Sequence, residues 1–242
     1  MMTHTRATVA EYQAAFRDEA ARAYPVVDAF EARIGAAVAQ DRLLEAAAVL
    51  ACPVKKNPPC WQHGRLLYAL AIRRLEALDE ADAPVRLLDI GTAKGFSALM
   101  LQYALVDACL PGVVTTIDVL DPQAAVRRNT IAEVDGFKTL AEILAPFPEA
   151  ADIVAVCDTG LRWLDRTTGR LHVVFVDGKH TGAVVADESR LIAKRQMPGD
   201  VVMWDDVHIA DVRAAVEKMT GAYAIEWLQV LPQRAYAIGV RR

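Results

Sequence analysis

Apolar and polar positions divide the chain into a helical first third and an alternating remainder. From Val27 through Phe30, Ile34, Val38, Leu43, Leu44 and Ala47 to Leu50, apolar residues recur mostly at intervals of three and four, the spacing that buries one face of a helix. This predicts a helix over Val26–Leu50, preceded by an Ala-, Glu- and Arg-rich helix over Val9–Ala23 that Pro25 punctuates. Cys52–Cys60 contains three prolines and reads as a loop, and Trp61–Leu78 is helical again. From Val85 the period changes. Short apolar runs at Val85–Ile90, Val113–Asp118, Ile153–Val156, Leu171–Val176 and Val201–Trp204 predict strands of a buried parallel sheet. Phe96–Val106, Gln123–Leu144 (interrupted near Gly136), Val184–Arg195 and Val207–Met219 predict the helices between and after them. Ala222–Val230 and Ala235–Val240 are separated only by Leu231–Arg234. So short a turn joins antiparallel neighbours, so the last strand enters an otherwise parallel sheet in the opposite sense.

Composition narrows the class. The 242 residues suit one domain or a domain with a small extension. Hydrophobic residues at 54% and charged ones at 24% describe a folded soluble protein. A net charge of -4 gives no electrostatic reason to expect nucleic acid or an anionic membrane as partner. The four cysteines lack Cys-x-x-Cys spacing, which argues against a zinc site or disulfide framework. Met1–Arg22 lacks an apolar core segment and no later run is long enough to span a bilayer, so a cytoplasmic protein is expected.

The candidate chemistry starts at VRLLDIGTAKGFSALML, Val85–Leu101, which reads as strand, glycine turn and helix. Such a turn lets backbone approach a ligand closely. The dinucleotide fingerprint fails here: counting from Gly91, its second and third glycines fall on Ala93 and Phe96. What remains, Asp89-x-Gly91-x-x-x-Gly95, resembles the first motif of class I S-adenosylmethionine-dependent methyltransferases. Its Gly-Thr-x-x-Gly-x-Ser form is closest to the metal-dependent small-molecule O-methyltransferases. The resemblance implies a Rossmann-like, doubly wound, seven-stranded, mostly parallel sheet with an antiparallel last strand. It also implies a helical cap over residues 1–78 before a donor-binding domain over residues 79–242, all in one globular unit. Asp89, Gly91, Thr92, Ala93, Gly95, Ser97 and Asp177 fall at donor-binding positions. Asp118, 27 positions after Gly91 at the tip of the second strand, is suited to accept both ribose hydroxyls. Asp158 and Thr159 lie where the adenine is held, although Cys157 replaces the small residue usual there.

Carboxylates end the fourth and fifth strands as Asp177, Asp205 and Asp206. Their convergence would require positive charge, and magnesium or another divalent cation suits such oxygen ligands while leaving positions open for substrate. VFVDGKH and PGDVVMWDDVH resemble the family's metal-holding motifs, which assigns the ion to Asp177, Asp205 and Asp206; Asp206 is also a candidate helix N-cap. The general base falls on His180, whose ordinary pKa suits the task, or on Lys179. His63, His172 and His208 read as structural, and Trp61 and Trp204 as candidate walls of an acceptor pocket. The implied activity is O-methylation of a small molecule, a sugar, phenolic or secondary metabolite. A non-catalytic donor-binding scaffold is the alternative, and a nicotinamide-dependent oxidoreductase a weaker one. The apolar N-terminal helices are compatible with a homodimer.

Overall fold

The computed structural model of the chain describes residues 8–51, 59–79, 82–127 and 136–242. Its main sheet has seven strands: β1 (Val85–Ile90), β2 (Gly112–Asp118), β3 (Val154–Cys157), β4 (Val173–Val176), β5 (Val201–Trp204), β6 (Tyr223–Leu231) and β7 (Arg234–Arg241). Their spatial order is β3-β2-β1-β4-β5-β7-β6. The first five are parallel. β7 runs antiparallel between β5 and β6, as the short connection before it requires.

Nine α-helices flank the sheet among the described residues: α1 (Val9–Ala20), α2 (Pro25–Ile34), α3 (Gln40–Ala46), α4 (Gln62–Leu75), α5 (Phe96–Asp107), α6 (Leu140–Leu144), α7 (Gly160–Arg166), α8 (Gly182–Lys194) and α9 (Ala210–Glu217). The two-residue period of the strands sorts their side chains. Leu87, Val173 and Phe175 enter a core with α2 to α6, while Leu88, Ile90, Val174 and Val176 enter a second core with α7 to α9. The N-terminal helices therefore share a core with the sheet. α4 crosses α5 tightly: a Cβ on Gly64 would lie 2.5 Å from Phe96 Cε1.

β1 and β4 are adjacent, yet the helices that follow them, α5 and α8, pack in opposite cores. A crevice therefore opens at their C-terminal ends, where open α/β sheets bind ligands. At the opposite, N-terminal end of the parallel strands, fully buried Asp200 accepts hydrogen bonds from Arg74 (Nη2, 2.8 Å) and Arg170 (Nε, 2.9 Å), and Arg170 also pairs with Asp82. No helix among the described residues is long and apolar enough to cross a membrane.

Two predicted helices differ from those observed. Val26–Leu50 is divided: Gly35, at φ +81°, closes α2, the chain restarts at Gln40, and α3 passes into a π-helical turn over Ala47–Ala51. The periodicity reads through the break because Val38, in the connection, is also buried. Among the described residues of Gln123–Leu144, the helix covers Leu140–Leu144, started by a Thr139–Glu142 capping box. Earlier, Asp121 Oδ1 accepts Gln123 N at 2.9 Å, a turn that replaces the first helical turn. Val126–Arg127 then pairs antiparallel with Phe137–Lys138. The Cys52–Cys60 loop lies mostly outside the described residues, as do residues 128–135 of that predicted helix.

Candidate functional site

Five parallel strands end together. Register aligns Ile90 with Ile117 and Val176, Asp118 with Cys157, and Val176 with Trp204. Beyond these ends lies a cleft of about 930 Å³. Its lining takes in Gly91, Thr92, Ala93, Ser97, Asp118, Asp158, Thr159, Asp177, Lys179, His180, Asp205 and Asp206, which is all of the predicted site except Asp89 and Gly95.

The glycine turn forms one half. Gly91 has φ +110°, and a Cβ there would overlap the Asp177 carbonyl oxygen, so only glycine lets the turn pass this close to the end of β4. Gly91 N and Thr92 N donate to Ile117 O at 2.9 and 3.3 Å. Ala93 N donates to Asp118 Oδ2 at 2.9 Å and Leu120 N to Oδ1 at 3.0 Å. Each Asp118 oxygen keeps further acceptor capacity toward the cleft. Gly95, at φ +87°, caps α5.

Asp89 lies beneath the turn. It is fully buried and accepts Ser97 Oγ at 2.7 Å and Thr116 Oγ1 at 2.6 Å, tying β1 to α5 and β2. Burial outweighs these two bonds and pushes its carboxyl up to about 7. On the adjacent wall, Thr159 Oγ1 caps α7 by accepting Arg162 N at 3.2 Å. Asp158 lies 3.3 Å from Arg162 Nε and 3.7 Å from Arg166 Nη1.

The acidic residues form the other half. Burial and the neighbouring Asp205 and Asp206 charges hold the Asp177 carboxyl well above the ordinary carboxylate range. Burial and Asp206 push Asp205 up to about 7. Asp205 Oδ1 accepts Asp206 N at 2.6 Å. Asp206, at φ +54°, places Oδ2 3.0 Å from His180 Nδ1 and Oδ1 3.7 Å from His208 Nδ1. It does not cap a helix, because α9 starts at Ala210 with Ile209 as its N-cap residue. Atoms of Asp177, His180 and Asp206 able to ligate a metal all lie within 4.8 Å of one another; Asp205 is not one of these three. Arg234 Nη1 approaches Asp206 at 3.8 Å and Asp205 at 3.9 Å. Carboxylates crowded into one buried corner, with oxygen and imidazole donors facing one another, suit a divalent cation chemically.

Arg234, His63 and Glu188 are among the other residues that line the cleft. Arg234 is the first residue of β7, just past the β6–β7 turn, a stretch that carries no motif. His63 stacks on Phe175 (5.9 Å between centroids, 6° between planes), and burial depresses its pKa to about 3, so it forms a neutral wall. Glu188 on α8 is 2% exposed, accepts from Leu161 N and leaves Oε2 without a partner; burial pushes its carboxyl up to about 7. Neither predicted tryptophan lines the cleft. Trp61 packs on Phe16, and Trp204 is fully buried with Nε1 donating to Ser189 Oγ at 2.9 Å. Each indole is held by core packing. His172 is also buried, its Nδ1 accepting Arg86 N at 3.0 Å.

Residues 88–207 match the family model described as a methyltransferase domain. None of the curated proteins compared matches the chain in sequence. Among solved structures, the chain is similar to the O-methyltransferase TomG from Streptomyces achromogenes, involved in tomaymycin synthesis and solved with S-adenosylmethionine. Identity is 21% over 85% of this chain and 91% of that one, with a TM-score of 0.58. An O-methyltransferase from Bacillus cereus, in complex with S-adenosylhomocysteine, is 12% identical over 97% of this chain and 100% of that one, with a TM-score of 0.58. Cofactor-bound Rv0187 from MTB is 23% identical over 91% and 98%, with a TM-score of 0.57. The family match runs from β1 to just past β5, the stretch that builds most of both halves of the cleft, so residues 88–207 are similar to a methyltransferase domain, and the chain has the Rossmann-like methyltransferase fold of these solved structures.

Proposed function

We propose that the protein transfers a methyl group from S-adenosylmethionine to a hydroxyl oxygen of a small molecule, assisted by a divalent cation at the ends of β4 and β5. One observation carries this reading: a single cleft of about 930 Å³ joins the glycine turn and Asp118 to the Asp177–Asp206 corner. That volume lies near the upper end of the roughly 300–1,000 Å³ common for small-molecule sites, leaving room for a donor and a compact acceptor together. The O-methyltransferase relatives in solved structures support the acceptor atom by analogy.

In this reading the turn over Gly91–Gly95 takes the donor, and Asp118 accepts from its ribose hydroxyls. Asp158 and Thr159 border the adenine. Asp177 and Asp206, with His180 or Asp205, hold the ion. When bound, the ion lowers the pKa of an acceptor hydroxyl and fixes its position. Lys179 and His180 both border the acceptor. His180 Nδ1 is already 3.0 Å from Asp206, so the acceptor proton is assigned to Lys179. The oxygen then attacks the methyl carbon in line with the departing sulfur, and alignment of the two molecules by the cleft walls supplies much of the acceleration.

Calorimetric titration of the donor, paired with turnover of a catechol and sugar panel with and without divalent ions, tests this reading. Asp177→Ala is expected to abolish ion-dependent turnover and leave donor affinity within about threefold. Loss of donor binding with ion dependence intact would overturn it. A scaffold that only binds the donor would show no ion-linked acceptor binding.

A further inference from the structure

The strand-end motifs nominate Asp205 beside Asp177 and Asp206, yet the geometry distributes these side chains differently. Asp205 is 5% exposed, and its Oδ1 is committed to Asp206 N at 2.6 Å. It shapes the backbone that turns Asp206 toward the cleft. Its Oδ2 lies 3.9 Å from Arg234 Nη1, and the tighter group is completed by His180, in the loop between β4 and α8: its Nδ1 stands 3.0 Å from Asp206 Oδ2, and ligand atoms of His180, Asp177 and Asp206 converge within 4.8 Å. A second feature of the same corner is Tyr236. Its hydroxyl is fully buried without a hydrogen-bond partner, and Asp205, Arg234 and Asp177 are among the charges acting on it.

We infer that the third protein ligand of the divalent cation is the imidazole of His180, with Asp205 as a positioning residue, and that the centre therefore prefers first-row transition ions to magnesium. The inference rests on the metal-assisted reading above and deepens it. Magnesium favours all-oxygen coordination and dehydrates reluctantly. An imidazole nitrogen contributes little to its binding and progressively more along manganese, iron and cobalt. A neutral nitrogen in place of a third carboxylate also lowers the site's negative charge, which weakens a hard ion most.

The test uses the whole protein, stripped of metal by chelation and saturated with S-adenosylhomocysteine. It is titrated calorimetrically with Mg²⁺, Mn²⁺ and Co²⁺, and the visible absorption of bound Co²⁺ is recorded. Wild type is expected to bind Co²⁺ more tightly than Mg²⁺ by about a hundredfold, with Mn²⁺ between them. His180→Asn is expected to weaken Co²⁺ about tenfold or more and change its spectrum, while Mg²⁺ moves less than about threefold. The His180 side chain is 45% exposed, so its replacement leaves the core untouched. Asp205→Asn is expected to keep the Co²⁺ spectrum. If His180→Asn leaves Co²⁺ affinity and spectrum unchanged, or Asp205→Asn abolishes them, the assignment of His180 fails while the metal-assisted reading stands. If wild type binds none of the three ions, both fail.

Discussion

At the scale of single residues, Gly91 and Glu188 make opposite demands. Gly91 combines a left-handed φ with backbone of β4 where a side chain would go. Gly91→Ala should destabilise the protein by about 2 kcal/mol or more and sharply weaken donor binding, read by urea unfolding and calorimetry. Glu188 contributes through its proton. Its carboxyl rises from 4.5 to about 7 on folding, so the folded chain binds more protons than the unfolded one between those values. Stability is therefore lost as pH rises through that window. Glu188→Gln should match wild type near pH 4 and exceed it above pH 7 by on the order of 2 kcal/mol, measured as urea midpoints at the two pH values. Gly91, Asp118, Asp177 and Asp205 were legible in the sequence because each stands at the end of an apolar run, where an open sheet exposes its ligands. Glu188 was hidden inside the pattern of an amphipathic helix. Arg234 was hidden because the sequence marks it only as part of the Leu231–Arg234 connection, whereas it opens β7. His180 was legible as chemistry, but its placement against Asp206 depends on a loop conformation that spacing does not encode.

At the scale of elements, the strands could be read closely and the helices less so. Each of the seven strands lies within two residues of its predicted bounds, because a run of β-branched residues between breakers admits few alternatives. The failure at Val26–Leu50 has a plain cause. Apolar spacing reports which residues are buried, and it continues through a bend when the bend is buried too, as at Val38. The close crossing of α4 and α5 is a separate test of packing. Gly64→Ala would drive a methyl group against Phe96 and should cost about 1–3 kcal/mol. Gly221→Ala, where nothing lies within 4 Å, should stay within about 0.5 kcal/mol by the same urea measurement.

At the scale of the whole molecule, the two ends of the sheet serve different purposes. The C-terminal end carries crowded carboxylates and the cleft. The opposite end is tied by Asp200, which joins α4, the segment before β4 and the start of β5 through Arg74 and Arg170. Asp200→Ala would leave guanidinium groups uncompensated around a buried point and should lower stability by about 3–5 kcal/mol. Donor affinity measured well below the new unfolding transition should be nearly unchanged, since the cleft is at the far end. The place of β7 bears on how the protein is made. It covers the open side of β5 and brings Arg234 into the cleft, yet every other strand of the sheet precedes it in the sequence. On the ribosome, five strands and most of the cleft can assemble while β5 still presents bare backbone donors and acceptors to any extended segment nearby. Until the closing hairpin emerges, the growing chain has a sticky flank, and its safest partner is the piece of itself not yet translated.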